Sequence, residues 1–404
     1  MKQAFVLLGL IVSLCWASVA SAVPVVEDKE KGILINVGAL IQPTFQMTTP
    51  GSDGAGPGPC GSATRPRCSA GIGNVEGDGP SFDLFLRRAR IMVWGSATKE
   101  LSFFVDTDEP NLGKGGTFST STFIQDAFLT YSFMPEFRID AGLMLVPLSH
   151  HTLEGATSLN ALDYHADLIR FPTGRIFRDA GVQFRGVALQ DHLHYRLGIF
   201  EGVRNGAVPA PAAGTPPRSP LNPSGIPRFT GHLRGNIVGV EPDFFLKGIY
   251  FSPTPIVSIG VGADYQPSSV YKVDGRGNYF AFSADVFAEV PFTADDELIA
   301  KANFFNYGEG ATGIGNNTIP TGAIALYAEV GFRHAWIEPV VFIDYLKAKE
   351  DALTIVSPHV GVNFWAIKHN LNVKTDFGYK QTTRPDPTPP QKDILWTTQG
   401  QMFF

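Results

Sequence analysis

Charged residues in this 404-residue chain recur in pairs two positions apart, and two is the side-chain period of a β-strand. Arg88 and Arg90 alternate with Ala89, Ile91 and Val93, and Asp106 and Asp108 with Phe103 and Val105. Asp126 has the opposite parity to Ala127, Leu129 and Tyr131; Arg138 and Asp140 to Ile139, Ala141 and Leu143; His194 and Arg196 to Leu193, Tyr195 and Leu197. Asp285 and Glu289 oppose Phe282, Ala284 and Val286, and Lys301, Glu329, Glu338, Asp344, Lys374, Asp376 and Lys380 continue the split. Guanidinium, ammonium and carboxylate groups on one strand face attract and hydrogen-bond small ions in water. The opposite face is apolar enough for lipid. An arginine on a lipid-facing strand position costs about 2–4 kcal/mol at the bilayer midplane, so the charged face must look into an aqueous lumen. Arg88, Arg90, Asp106, Asp108, Asp126, Arg138 and Arg196 are therefore the pore-lining candidates.

A second charged group lies in 149–177, too long and polar for a turn, flanked by Arg178 and Asp179. Loops of this length inside a compact domain are functional or disordered. Arg170, Arg175 and Arg178 can attract an anion, while Glu154, Asp163, Asp167 and Asp179 stand among them, so the charge of the loop is mixed. His150, His151 and His165 invite a metal reading, but no Cys or carboxylate spacing completes a ligand set, and no metal site is expected. Neither a nucleophile-elbow motif nor a phosphate-cradling glycine loop is present, so catalytic residues and cofactors are not expected.

The elements that position these groups are strands. Apolar/polar alternation marks sixteen of them: 32–47, 82–96, 101–108, 122–133, 137–146, 180–189, 192–203 and 229–240, then 256–265, 278–290, 297–307, 323–333, 336–347, 353–365, 371–380 and 393–404. Long polar connections follow the first, third, fifth and seventh, at 48–81, 109–121, 147–179 and 205–228, whereas 97–100 is a short turn. An even strand count with long loops at one end and tight turns at the other is the pattern of a closed antiparallel transmembrane barrel. The segment 241–255 breaks it, being long for a turn and apolar enough for an extra strand. No repeat of 20–50 residues with constant marker positions points to a propeller.

Both ends carry information. Lys2 precedes an apolar run from Ala4 to Trp16, and Ala20, Ser21 and Ala22 form a small-x-small cleavage pattern, so 1–22 reads as a signal peptide and 23–404 as one barrel domain. Cys15 leaves with the leader. Cys60 and Cys68, inside a Gly- and Pro-rich stretch, then read as a disulfide closing a small loop within 49–80, as suits an exported chain. Of the 32 basic residues only Lys2 is lost, leaving 31 against 38 acidic ones; this acidic balance gives no reason to expect nucleic acid. Hydrophobic residues make up 44% and charged ones 17%, with 31 Phe and 43 Gly: too polar for a helical membrane protein, ordinary for a barrel apolar on alternate residues only.

At the other end, Ile394, Trp396, Thr398, Met402 and Phe404 alternate to the last residue. This ending resembles the closing strand of outer-membrane β-barrels, and the resemblance implies that Phe404 is part of what the barrel-assembly machinery reads. Parity places its ring toward lipid at the short-turn rim.

The runs LRRARIMVWGSATKELSFFVDTD, QDAFLTYSFMPEFRIDAGLMLVPLSHHTLEGATS and RDAGVQFRGVALQDHLHYRLGIFEG resemble the family of phosphate-selective porins O and P. That resemblance implies a 16-stranded homotrimeric diffusion channel in the outer membrane of a Gram-negative bacterium, surrounded by lipid, whose third extracellular loop folds inward to narrow the pore; here that is 147–179, which makes Glu154, Asp163, Arg170, Arg175 and Arg178 the constriction-loop candidates. It implies passage of small hydrophilic solutes, anions such as phosphate among them. The lumen-facing set derived above carries at least as many carboxylates as bases, which favours a general or weakly selective pore. The competing readings are an outer-membrane adhesin or receptor that conducts little, and a secreted β-sandwich binding module.

Overall fold

A computed structural model describes residues 23–50, 80–118, 122–170, 177–203, 220–241, 244–272, 275–312, 319–320, 322–349, 353–384 and 390–404. Cys60, Cys68, Arg175 and the proposed leader lie outside the described residues. The architecture is a closed antiparallel β-barrel of 16 strands with almost no helix. In chain order the wall is β1 (Ile33–Pro50), β2 (Ser81–Ser96), β3 (Leu101–Asp108), β4 (Phe123–Met134), β5 (Phe137–Leu145), β6 (Arg178–Ala188), β7 (Leu193–Phe200) and β8 (Arg228–Val238). It continues with β9 (Ile256–Lys272), β10 (Gly275–Pro291), β11 (Asp296–Tyr307), β12 (Ala323–His334), β13 (Ile337–Ala348), β14 (Thr354–Ile367), β15 (Leu371–Thr383) and β16 (Gln391–Phe403). Each strand pairs with its sequence neighbours, and β16 pairs with β1 to close the ring.

The closing seam runs from Asp393↔Pro50 through Trp396↔Met47 to Phe403↔Leu40. Beyond it the backbone of Phe404 exchanges both hydrogen bonds with Ala39, at 2.8 and 3.1 Å. Closure leaves no wall edge with unpaired amides, which hydrocarbon would not tolerate.

The barrel is apolar outside and polar inside. Leu84 is 74% exposed, Ile91 61% and Leu129 53%, whereas Gln42, Asp140, Gln183 and Asp264 are buried in the interior. Along the outer seam Phe377 stacks on Trp396 and Phe45 meets it edge-on, ring centroids 5.4 Å apart in each pair. Part of the interior is apolar nonetheless: Tyr279, Phe305, Tyr307, Tyr327 and Leu346 of β10–β13 form a core with Leu148, Leu153 and Leu168 of the loop that follows β5.

Three features differ from the sequence expectations. First, β9 runs to Lys272 and β10 starts at Gly275, so the connection expected between 265 and 278 is strand. An irregularity between Gln266 and Val270, with Ser268 at φ 53, interrupts the alternation, after which pairing resumes at Val270↔Gly277. Secondly, residues Val23–Asp28, expected as a lead-in, form a short strand paired with β1. Thirdly, the described residues between β8 and β9, 239–241 and 244–255, form no extra strand. They turn into the lumen, because their apolar and acidic side chains find partners there: Glu241, Leu246 and Ile249 are fully or almost fully buried.

This inward segment runs beside the loop after β5. Glu154 and Leu246 form a parallel bridge, and the Gly248 amide donates to the Ser158 carbonyl at 2.9 Å. The contact needs glycine at 248, where a Cβ would sit 2.4 Å from the Asn160 amide nitrogen and 2.9 Å from the Leu159 carbonyl carbon. Replacing Gly248 with Val should therefore part the two segments at a cost of about 1–3 kcal/mol while leaving the wall intact. The expected result is faster protease cleavage within 239–255, with the heat-modifiable electrophoretic mobility of the folded barrel retained; unchanged cleavage would show that the contact is loose.

Candidate functional site

The loop after β5, described for residues 146–170 and 177, enters the lumen and bonds to wall strands on both sides of it. It leaves β5 where the Val146 amide donates to the Phe177 carbonyl at 2.7 Å, which pins the loop's two ends together. Ser149 caps the short helix α1 (His150–Leu153) by accepting from the Thr152 amide, and this turn aims His150 and Glu154 at the far wall.

There a chain of ion pairs begins. His150 Nδ1 lies 2.8 Å from Glu154 and its Nε2 3.0 Å from Glu241 of the inward segment. Glu154 pairs with Lys301 of β11 at 3.1 Å, Lys301 with Glu329 of β12 at 3.3 Å, and Glu329 with His165 at 3.3 Å. His165 closes the chain on Asp344 of β13 at 2.6 Å and stacks on Tyr327, ring centroids 4.0 Å apart. Burial works to raise the Glu154 carboxyl, but Lys301 and the two histidines outweigh it and hold the group well below its usual range. Burial likewise opposes a charge on His165, yet Asp344 and Glu329 raise its pKa to about 9.

The middle of the loop meets the opposite wall. Lys374 of β15 donates to the Ala161 carbonyl at 3.1 Å, Asn363 of β14 to Asn160 at 2.8 Å and Gln401 of β16 to Thr157 at 2.8 Å. Asp163 is held by both Arg87 and Arg88 of β2, each at 2.5 Å, and Arg88 also donates to Gln42 of β1 at 2.9 Å. Burial pushes the Asp163 carboxyl up, but the two guanidinium groups overcome it and keep the group ionised to low pH.

Strand parity alone sends Arg87 outward with Ala89. A register shift between Gln42 and Pro43, where Gln42 faces Arg88 and Pro43 faces Leu86, places both Arg87 and Arg88 on the lumen side. The hint in the sequence is the Arg-Arg doublet itself, since one member of a regular pair would have to face lipid.

The sequence candidates fall as follows. Arg90 pairs with Asp108 at 2.7 Å and Asp106 at 3.4 Å, Asp106 also accepts from the Asp126 amide at 2.7 Å, and Asp126 takes a two-pronged grip from Arg178 at 2.8–3.0 Å. Glu154 and Asp163 lie in the ion-paired set above. Arg170 is half-buried, its carbonyl accepting from Tyr279 at 3.4 Å. His150, His151 and His165 do come together, held in ion pairs and ring contacts.

Arg138 and Arg196 belong to a different arrangement, with Arg185, a residue the sequence reading did not single out. Register places Arg138 of β5 directly across from Arg185 of β6, and Arg185 across from Arg196 of β7. Like charges opposite one another on a sheet repel, by roughly 0.2–1 kcal/mol per pair. The one carboxylate bonded to this row among the described residues is Asp140, 2.7 Å from Arg185. Arg138 Nε and Arg196 Nη1 are buried without a hydrogen-bond partner among the described residues. Phe244 of the inward segment lies beneath two of the three, its ring centroid 4.7 Å from the Arg185 guanidinium and 5.0 Å from that of Arg196.

Solved structures share this fold at low sequence identity. The outer-membrane channel DcaP of Acinetobacter baumannii superposes with TM-score 0.57 at 10% identity, over 95% of this chain and 100% of that one. An anion-selective porin from Comamonas acidovorans gives 0.54 at 8%, over 92% and 99%. The trimer form of OmpT from Vibrio cholerae gives 0.51 at 10%, over 92% and 99%. No curated protein sequence matches the chain. The closed wall with a loop folded into it is the fold that these outer-membrane channels share. Residues 71–220 match the model of the phosphate-selective porin O and P family, the family that the strand motifs resemble.

The His165 link carries a pH dependence. Its pKa is raised from 6.5 to about 9, so its contribution is fully present below pH 6.5 and is lost as pH rises through about 9. Between pH 8 and 10 the loop should loosen from β12 and β13, seen as added open-channel current noise that His165→Gln renders independent of pH. Equal noise at both pH values in the unaltered protein would overturn the link.

Proposed function

We propose that the chain is a homotrimeric porin of a Gram-negative outer membrane that passes small hydrophilic solutes down their gradients and prefers anions. The observation that carries the preference is the cross-strand row Arg138, Arg185 and Arg196, three guanidinium groups with Asp140 as their bonded carboxylate. In a water-filled constriction a local excess of fixed positive charge raises the concentration of anions and lowers that of cations. The anion-selective porin of Comamonas acidovorans supports this direction by its fold alone, and the OmpT trimer supports the assembly in the same way. In this reading the short-turn rim is periplasmic, the chain is exported by its leader, and Phe404 contributes to recognition by the assembly machinery.

Arg88 and Arg90, lumen-facing from sequence, are poor probes of selectivity, because both are locked in ion pairs whose disruption would strand Asp163 or Asp106 and Asp108. Arg138 has no ion pair among the described residues and is the better probe. Under a tenfold potassium chloride gradient in planar bilayers, the reversal potential should have the sign of chloride preference, and Arg138→Glu should move it toward the potassium side. A reversal potential of cation sign in the unaltered protein would refute the preference, and absence of conductance would refute the channel.

A further inference from the structure

The lumen face of β3 and β4 is interrupted by two rings, Phe104 and Phe128, at positions where parity otherwise places Ser102, Asp106, Asp126 and Thr130. They stack at 5.7 Å, and the inward segment adds two more: Phe244 stacked on Phe128 at 4.7 Å, and Phe245 edge-on to Phe104 at 5.2 Å. These four rings form one wall of a recess of about 410 Å³ in the short-turn half of the barrel, bounded by Trp94, by 155–158 of the inner loop and by Arg185. The volume falls in the range of about 300–1,000 Å³ typical of small-molecule sites.

Phe128 packs with Met144, Val146 and Phe200 in a small apolar cluster, and Phe104, Phe244 and Phe245 cover it while keeping part of their surface open. The outer face of the barrel already carries the lipid-facing apolar residues, and rings lining a watery passage stay half-exposed at a cost in hydration. Phe104, Phe244 and Phe245 are half-buried. The shelf also meets the arginine row, since Arg185 and Arg196 lie over Phe244; Arg196, 8% exposed, donates through Nη2 to the Phe244 carbonyl at 2.5 Å, while its Nη1 has no hydrogen-bond partner among the described residues. Apolar rings beside guanidinium groups complement a solute that is flat and apolar at one end and anionic at the other.

We infer that this recess is a transit site for aromatic monocarboxylates, the ring lying on the Phe104, Phe128, Phe244 and Phe245 shelf and the carboxylate on the arginine row. The inference rests on the anion preference proposed above and adds a requirement for an aromatic body. Inorganic phosphate and acetate satisfy only the charged half. Stacking on phenylalanine rings, added to the apolar area that the ring buries, should give about a tenfold difference in apparent affinity.

The test uses the full-length protein in planar bilayers with chloride as the current carrier, titrated separately with benzoate, acetate and inorganic phosphate. Benzoate should halve the chloride current at about one-tenth of the acetate concentration or less. Phe245→Ala should bring the benzoate value toward that of acetate. The unaltered protein alone provides a second readout, because Trp94 borders the recess: benzoate, but not acetate, should change its fluorescence, with Trp94→Phe as the control. Benzoate and acetate acting at equal concentrations, or phosphate outdoing both, would overturn the aromatic site while leaving anion preference standing. A cation-sign reversal potential would remove the underlying reading instead, so the two failures are distinguishable.

Discussion

Inside a bilayer every wall amide and carbonyl must find a partner within the protein, and the pairing of β16 with β1 meets that demand for the last open edge. Much else in the molecule follows from closure. A ring of alternating strands has only two surfaces, so lipid on the outside forces each charged side chain of the wall inward. The inside then holds carboxylates, guanidinium and ammonium groups close together, and their mutual charges have to be balanced across strands. Gln42, Arg88, Gln401 and the Thr157 carbonyl form one hydrogen-bonded series spanning β2, β1, β16 and the inner loop, so the closing seam is also braced from within.

Charge balance explains the shape of the interior better than hydrophobic packing does. The loop 146–177 supplies Glu154 to Lys301 and Asp163 to the Arg87 and Arg88 doublet, and His165 accepts its place between Glu329 and Asp344. The inward segment supplies Glu241 to Arg234 and His150. Where pairing is incomplete, at Arg138, Arg185 and Arg196, positive charge is left over. A pore whose wall residues sum close to neutral can still present a biased field, because its selectivity depends on which charges remain unneutralised along the path.

The wall was legible in the sequence because each strand carries its own evidence: alternation in 101–108 is visible without knowing any neighbour, and those bounds match the observed strand. The inner loop was legible by length and polarity. The register shift beside Pro43 was not, since a bulge is set jointly by two strands and neither sequence alone shows that two successive arginines face the same way. The inward course of 239–255 was hidden for the same reason. Phe244, Phe245 and Leu246 read as strand because an apolar run has no way to declare whether it will meet lipid, a sheet or the inside of a barrel. The arginine row depends on register across three strands, so Arg185 gave no sign of its importance although Arg138 and Arg196 did.

The partners of the inner loop also tie distant parts of the chain together. Thr157 is bonded to a residue 244 positions away, Ala161 to one 213 away, and His165 to residues 164 and 179 away, whereas Asp163 reaches back 75 and 76 positions to β2. These contacts draw on both halves of the chain, so the full set needs both halves of the wall in place. The fully bonded loop thus depends on strands from both ends of the sequence, and it acts as a record that the ring has closed.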